Sequence, residues 1–177
     1  MVPAVRCSEV RPFGQERCAL ASRAVDAAFV PAEFEPPREL ALAEFHLVPL
    51  GAQHNESDHA AWTSSIPHIH ATPGFESSDW PPAEGMSLEA NRGDLEGHAR
   101  DFADRTGFTF TVLAPGTEDV IGCLYIYPAK DGDHDAQVRS WVRADVAELD
   151  APLHAAVSRW LAERWPFQRV LYADRPA

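Results

Sequence analysis

Cysteine is scarce in this sequence. Its 177 residues hold three, Cys7, Cys18 and Cys123, too few and too irregularly spaced to staple a secreted scaffold. Cys123 lies in the apolar run VIGCLYIY, where a free thiol acts as a small buried hydrophobe. So sparse and odd a set points to a reducing compartment. Long apolar runs are missing too. None approaches the ~20 residues that cross a bilayer. The opening stretch MVPAVRCSEVRPFGQER carries charges where a signal peptide needs an apolar centre. These absences predict a cytoplasmic protein with no membrane partner.

Basic residues are outnumbered. Fifteen Lys and Arg stand against 27 Asp and Glu, for a formal net charge of −12. Sequence-independent nucleic-acid binding needs clustered cations against phosphate, so this balance excludes it. The surplus acid keeps the chain soluble and is compatible with an amine partner. No P-loop, dinucleotide fingerprint or nucleophile elbow occurs. Metal sites are not expected. His54 and His59 are five apart, not the four that put two ligands on one helix face. His68 and His70 alternate on what reads as an extended segment, with no Cys or carboxylate pattern to complete a zinc set. The stretch DGDHD (131–135) opens like a calcium loop, but Ala136 and Val142 replace the Gly and Glu that such a loop requires.

What is present is a globular chain, 45% hydrophobic and 24% charged, long enough to bury a core without staples. Residues 1–39 hold five prolines and no strand-like alternation. They read as an N-terminal arm, partly disordered and dispensable up to about residue 35, with one helical stretch over 15–29. A compact domain follows over 40–177. LALAEFHLVPL (40–50) predicts a strand and NESDHAAWTSSI (55–66) a helix capped by Asn55. Residues 67–86 predict a long irregular loop carrying His68, His70, Phe75 and Trp80, a candidate substrate wall together with Trp62. A helix over 87–105 is capped by Ser87 and ended by Gly107. Strands follow at 108–114, 120–128 and 136–144. In the last, Gln137, Arg139, Trp141 and Arg143 oppose Ala136, Val138, Ser140 and Val142. Asp150 caps a helix over 151–165, and 167–173 is a final strand. Trp160 and Trp165 fall on the apolar stripe of that helix and read as core.

The final strand–helix–strand unit predicts a parallel pair. FTVLAPGTEDVIGCLYIYP followed by DAQVRSWVRADVAELDAPLHAAVSRWL resembles the central strands and coenzyme-binding helix of the GNAT N-acetyltransferase superfamily. FHLVPL with HNESDHAAW resembles its first strand and helix, and SLEANRGDLEGHARDFADRTGFTFTVL its second helix and strand. The resemblance spans roughly 40–173. It implies an α/β fold: a mixed, mostly antiparallel central sheet with a parallel splayed strand pair and helices on both faces. It also implies an acetyl-CoA-dependent transfer to an amine, on a small molecule or a peptide. A GNAT-like binding domain without catalysis is the alternative.

In that family the acyl chain lies where the two parallel strands splay, and backbone N–H groups at the next helix hold the pyrophosphate. The resemblance therefore assigns coenzyme contacts to Trp141, Val142, Arg143, Val146, Ala147, Glu148 and Leu149. The family pattern places Gly at 146 and Gly or Ala at 148. Here Val146 and Glu148 stand there, and Asp145, Glu148 and Asp150 put negative charge where a polyanion would sit. His134 and Asp135, at the head of the third strand, are the candidate bases. The family usually continues past the last strand to a Tyr general acid, a role Tyr172 does not match. An uncovered edge at 167–173 predicts a homodimer or cover by the N-terminal arm.

Overall fold

The computed structural model describes residues 28–175. Six strands form one sheet in chain order: β1 (Leu40–Ala41), β2 (His46–Pro49), β3 (Phe108–Leu113), β4 (Val120–Pro128), β5 (Ala136–Val142) and β6 (Val170–Tyr172). Pairs from β1 to β5 are antiparallel, and β5–β6 is parallel. The crossover is α4 (Asp150–Arg164). Parallel neighbours cannot be joined by a tight turn, so the helix is the connection this pairing needs. Between β2 and β3 lie α1 (Asn55–Thr63), α2 (Ile66–Ala71) and α3 (Leu88–Asp104). This is the mixed, mostly antiparallel α/β sheet with helices on both faces that the sequence predicts.

The two faces bury separate clusters. Leu153, Val157, Trp160 and Leu161 of α4 pack with Phe108, Phe110, Leu124 and Val138. Trp160 and Trp165 meet Phe110 edge-on at 5.3 and 6.3 Å, contacts worth about 0.5–1.5 kcal/mol each beyond area burial. On the opposite face Trp62 of α1, Ile69 of α2 and Leu95 of α3 pack with Cys123 and Trp141. A bulge sets which β4 side chains reach that face. Val112 pairs with Gly122 and Leu113 with Val120, which leaves Ile121 as the extra residue. The alternation is re-phased there, and Cys123 and Tyr125 then share a face with Trp141.

Several local expectations change. The strand expected over 40–50 is a hairpin, with Leu40 paired to Leu47. Asn55 does not cap α1. A 3-10 turn over Ala52–His54 precedes it, and the Asn55 Nδ2 donates to the Leu88 carbonyl at 3.1 Å. Part of the expected loop is α2, whose second residue Pro67 suits the first turn of a helix. Ser87 does cap α3, accepting from the Ala90 N–H at 3.1 Å. The left-handed residue that ends α3 is Arg105 (φ 62°), not Gly107. Gly107 instead leaves room for Tyr127, whose ring occupies the space a Cβ would fill. β5 stops at Val142 and β6 covers only 170–172. Asp150 is the first helical residue of α4 and makes no capping bond there.

The expected helix over 15–29 lies almost wholly outside the described residues. Residues 28–39 run along the first cluster. Phe29 stacks on Phe108 and Phe167 at 5.7 and 5.0 Å, and Val30 is 2% exposed. The Arg105 Nη2 donates to the Pro31 and Phe34 carbonyls at 2.6 and 2.7 Å. No helix among the described residues is long and apolar enough to cross a membrane.

Candidate functional site

A cavity of about 500 Å³ opens between α1, α3, the 72–86 loop and the ends of β4 and β5. The loop contributes Phe75 and Trp80, and Tyr125 of β4 completes an aromatic wall. The rings hold each other edge-on: Trp80 to Tyr125 at 5.9 Å and Phe75 to Tyr125 at 6.5 Å.

The helices supply acid and base. Asp58 of α1 is buried at 5% exposure. Its Oδ2 accepts from the Asn91 Nδ2 at 3.0 Å, and Asn91 is fixed in turn by the Trp62 indole N–H at 2.9 Å. Burial pushes the Asp58 carboxyl up to about 6, with the Asn91 bond opposing the shift. Asp94 and His98 of α3 line the same side.

His98 is the most chemically poised of these groups. The Tyr127 hydroxyl has one proton and donates it to Asp101 Oδ2 at 2.9 Å. Its oxygen therefore accepts from His98 Nδ1 at 2.7 Å. With the proton on Nδ1, Nε2 is left as a lone-pair acceptor, and no described residue bonds it. Burial lowers the His98 pKa below its ordinary 6.5, against the pull of Asp101 and Asp94. The ring is then neutral at pH 7. Burial and the bond to Asp101 hold the Tyr127 phenol well above its usual range.

The sheet supplies the cations. Arg139 of β5 lines the cavity with its guanidinium 5.8 Å from the Phe75 centroid. Its Nε is sealed from solvent without a hydrogen-bond partner. Lys130 stands at the rim.

Beside the cavity, β5 and β6 pair only from Ala136–Val170 to Val138–Tyr172. Beyond that point Arg175 fills the edge of β5, 4% exposed. It donates to the Ser140 carbonyl at 2.9 Å, the Pro73 carbonyl at 3.2 Å and Asp150 Oδ2 at 2.5 Å. The Tyr172 hydroxyl bonds Ser140 Oγ, and burial raises that phenol to about 12.

The residues singled out from sequence scatter relative to this cavity. Of the substrate candidates, Trp80 lines it. Trp62 is fully buried behind Asn91. His70 bonds the Pro81 carbonyl at 2.9 Å, and His68 has a sealed, unpartnered Nε2. Lying two apart on a helix, His68 and His70 diverge rather than sharing a face. His134 and Asp135 do not line the cavity. His134 pairs with Asp131 at 2.7 Å. Asp135 accepts from the Arg169 and Gln168 N–H groups at 2.9 and 2.7 Å, which lowers its pKa.

Trp141 and Val142 are buried in the strand, while Val146, Ala147, Glu148 and Leu149 form the turn into α4. Arg143 is already paired, to Asp145 at 2.6 Å and Asp119 at 3.3 Å. Sequence reasoning missed His98, Asp58, Tyr127 and Arg139 as site residues. No group of three or more His, Cys, Asp or Glu among the described residues is arranged to hold a metal.

The sheet, antiparallel but for one parallel, crossover-linked pair, is a fold this chain shares with solved structures. RimL, a ribosomal L7/L12 alpha-N-protein acetyltransferase in complex with coenzyme A, matches with a TM-score of 0.58 at 14% identity, over 75% of this chain and 72% of RimL. The ribosomal-protein-S5-alanine acetyltransferase of Vibrio fischeri matches with a TM-score of 0.58 at 11% identity, over 76% and 72%. The microcin C7 self-immunity acetyltransferase MccE, in complex with acetyl-CoA and AMP, matches with a TM-score of 0.54 at 14% identity, over 72% and 67%. The chain has the fold of the GNAT acetyltransferase superfamily. It matches no protein-family profile and no curated protein sequence.

Proposed function

We propose that this chain is an N-acetyltransferase that moves the acetyl group of acetyl-CoA to an amine held in the 500 Å³ cavity. The observation that carries the reading is His98 Nε2, an unpartnered acceptor in a cavity beside the stretch of β5 that no strand pairs. The backbone acceptor on that edge fits the amide N–H of a pantetheine arm. The Ser140 carbonyl is free of strand pairing and already accepts from an N–H, that of Arg175. The turn at 143–149 fits the pyrophosphate less well. Arg143 is shared between two carboxylates, and Val146 and Glu148 hold the backbone back where Gly would let it approach. Replacing both with Gly is expected to tighten binding, and Arg143→Ala to weaken it.

Acetyl-CoA, when bound, supplies an activated acyl carbon and a thiol leaving group. The protein does the rest. Asp58 and Asp94 attract the ammonium form of the amine. His98 Nε2 accepts one proton from that ammonium, which frees the nitrogen lone pair to form the C–N bond, and the second proton that nitrogen loses would leave on the thiol as the C–S bond breaks. Tyr127 holds the ring and its tautomer, with Asp101 fixing the phenol. The proposed roles of His134 and Asp135 pass to His98, because neither lines the cavity: His134 Nδ1 is bonded to Asp131 in the turn, and Asp135 to the Gln168 and Arg169 N–H groups just before β6. The 72–86 loop, with Trp80 and Phe75, excludes water.

The test is a melting curve with acetyl-CoA followed by a thiol-release assay with an amine panel. Acetyl-CoA at ~100 times its dissociation constant should add about 2.7 kcal/mol of stability. The absence of both a melting shift and thiol release would sink the reading and leave a non-catalytic binding domain.

A further inference from the structure

The proposed acceptor cavity carries both signs of charge, separated by element. Its carboxylates, Asp58 and Asp94, come from the helices α1 and α3. Its cations, Arg139 and Lys130, come from β5 and from the turn that follows β4. Lys130 is the sole lysine of the chain. No ion pair joins one set to the other among the described residues.

Arg139 stands apart from the other inward-turned arginines. Arg143 and Arg175 have carboxylate partners, and Arg105 has two carbonyls. Arg139 makes no hydrogen bond and no ion pair with any described residue, and its Nε is sealed from water. The carboxylate whose charge it feels, Glu76, spends Oε2 on the Gly74 N–H at 2.8 Å. The sealed Nε is out of a ligand's reach, but Nη1 and Nη2 are neither bonded nor sealed, and a cavity-lining guanidinium whose donors lack an acceptor is one a ligand can complete. Asp58 is the counterpart. Only its Oδ2 is bonded, to Asn91.

From these placements we infer that the ligand of the cavity is a zwitterion: an amine that also carries a carboxylate, on an apolar or aromatic body, as in a free amino acid. The amine lies toward Asp58, Asp94 and His98. The carboxylate lies toward the Arg139 fork, which matches a planar two-oxygen acceptor. The body lies against Trp80, Phe75 and Leu95, which line the space between. Two carboxylates and two cations give the cavity no formal charge in sum, which suits a ligand that also has none. A simple amine or polyamine would leave Arg139 uncompensated.

The inference deepens the acetyltransferase reading but is tested without acetyl-CoA. Calorimetric titration of the full chain would compare leucine, phenylalanine and tryptophan with the amines that lack their carboxylate and the acids that lack their amine. At least one amino acid should bind ~10-fold or more tightly than both of its halves, a gap of about 1.4 kcal/mol. Arg139→Met should erase the advantage over the decarboxylated amine while leaving that amine's own affinity in place. Arg139→Lys, which keeps the charge and loses the fork, should fall between and guards against a misfolded Met variant.

Three outcomes overturn the inference: no member of the panel binds, the decarboxylated amines bind as well as the amino acids, or Arg139→Met leaves the ratio unchanged. Tighter binding of O-phosphoethanolamine than of every amino acid overturns the choice of carboxylate. Amino-acid binding without any acetyl transfer would keep the inference and remove the acetyltransferase reading. Transfer to simple amines and amino acids alike would do the reverse.

Discussion

Arg175 donates from Nη2 to the carbonyl oxygen of Ser140 at 2.9 Å, occupying with its own side chain the strand edge that β6 leaves unpaired. The same guanidinium reaches Asp150 at the start of α4 and the Pro73 carbonyl across the gap. A pantetheine arm bound on this edge, as proposed, would have to displace it. Its apparent affinity would then be lowered in proportion to the fraction of molecules in which Arg175 is unseated. Arg175→Ala is expected to tighten acetyl-CoA binding on the order of 10-fold. It should also cost about 1–3 kcal/mol of stability, because Asp150 and the Ser140 carbonyl lose a buried donor. Titration calorimetry and a denaturation curve on the same variant read both. Equal or weaker binding would show that Arg175 does not compete.

His98 gives a kinetic prediction. If its Nε2 takes the amine proton, His98→Ala should lower kcat about 10²–10⁴-fold with little change in KM for acetyl-CoA. The acid limb of the wild-type rate profile should lie below pH 6.5, since burial lowers this pKa. Tyr127→Phe keeps the ring but removes the acceptor that fixes the Nδ1 tautomer. It should cut kcat less than His98→Ala does and shift that limb. A profile that keeps its acid limb in His98→Ala would place the titrating base elsewhere, with Asp58 next in line.

Much of the fold was legible, and the cavity was not. Strands β3, β4 and β5 announce themselves because alternation in FTFTVL and AQVRSWV is a local property, as is the stripe of Leu153, Val157, Trp160 and Leu161. The same alternation correctly set Arg139 on the face of Trp141, opposite Ser140. It could not say that this face becomes a cavity wall, which depends on α1 and α3 crossing it. His98 lies between Leu95 and Phe102, residues that enter different clusters. Its neighbours in space, Tyr127 and Thr109, are 29 and 11 residues away. Pro67 reads from sequence as a loop residue, yet its position in the first turn of α2 is one that proline favours. Arg175 filling the β5 edge leaves no trace in a pattern of hydrophobic periods.

Asp58 makes a stability prediction with a definite sign. Its folded pKa, about 6, is raised above the ordinary carboxylate value. The folded state therefore holds its proton more tightly than the unfolded state. The contribution to stability is fully present below the unfolded pKa, near 4, and is lost as pH rises through 6. Asp58→Asn removes the titration and keeps an oxygen for the Asn91 Nδ2. At pH 7.5 the variant should be more stable than wild type by about 2–3 kcal/mol. By pH 4 the difference should have vanished. A gain that persists unchanged at pH 4 would assign the effect to packing.

Arg105 ties the segment before β1 to the end of α3, and two substitutions separate its two roles. It holds a left-handed backbone at φ 62°, which costs a non-glycine residue about 1 kcal/mol. Its side chain donates to the Pro31 and Phe34 carbonyls, bonds worth about 1–3 kcal/mol together where partly exposed. Arg105→Ala keeps the backbone strain and loses the bonds, so it should destabilise by the full amount. Arg105→Gly loses the same bonds but relieves the strain, so it should cost about 1 kcal/mol less than Ala. Deleting residues 1–35 removes both carbonyls together with Val30 and the Phe29 stack on Phe167. That loss should reach several kcal/mol, since a buried aliphatic or aromatic side chain alone is worth about 2–5. In the deleted chain Arg105→Ala should then have almost no further effect, because its partners are gone. Thermal melts of the wild type and these four variants check this. A deletion that leaves the melting temperature unchanged would show that 28–35 adds nothing to the core.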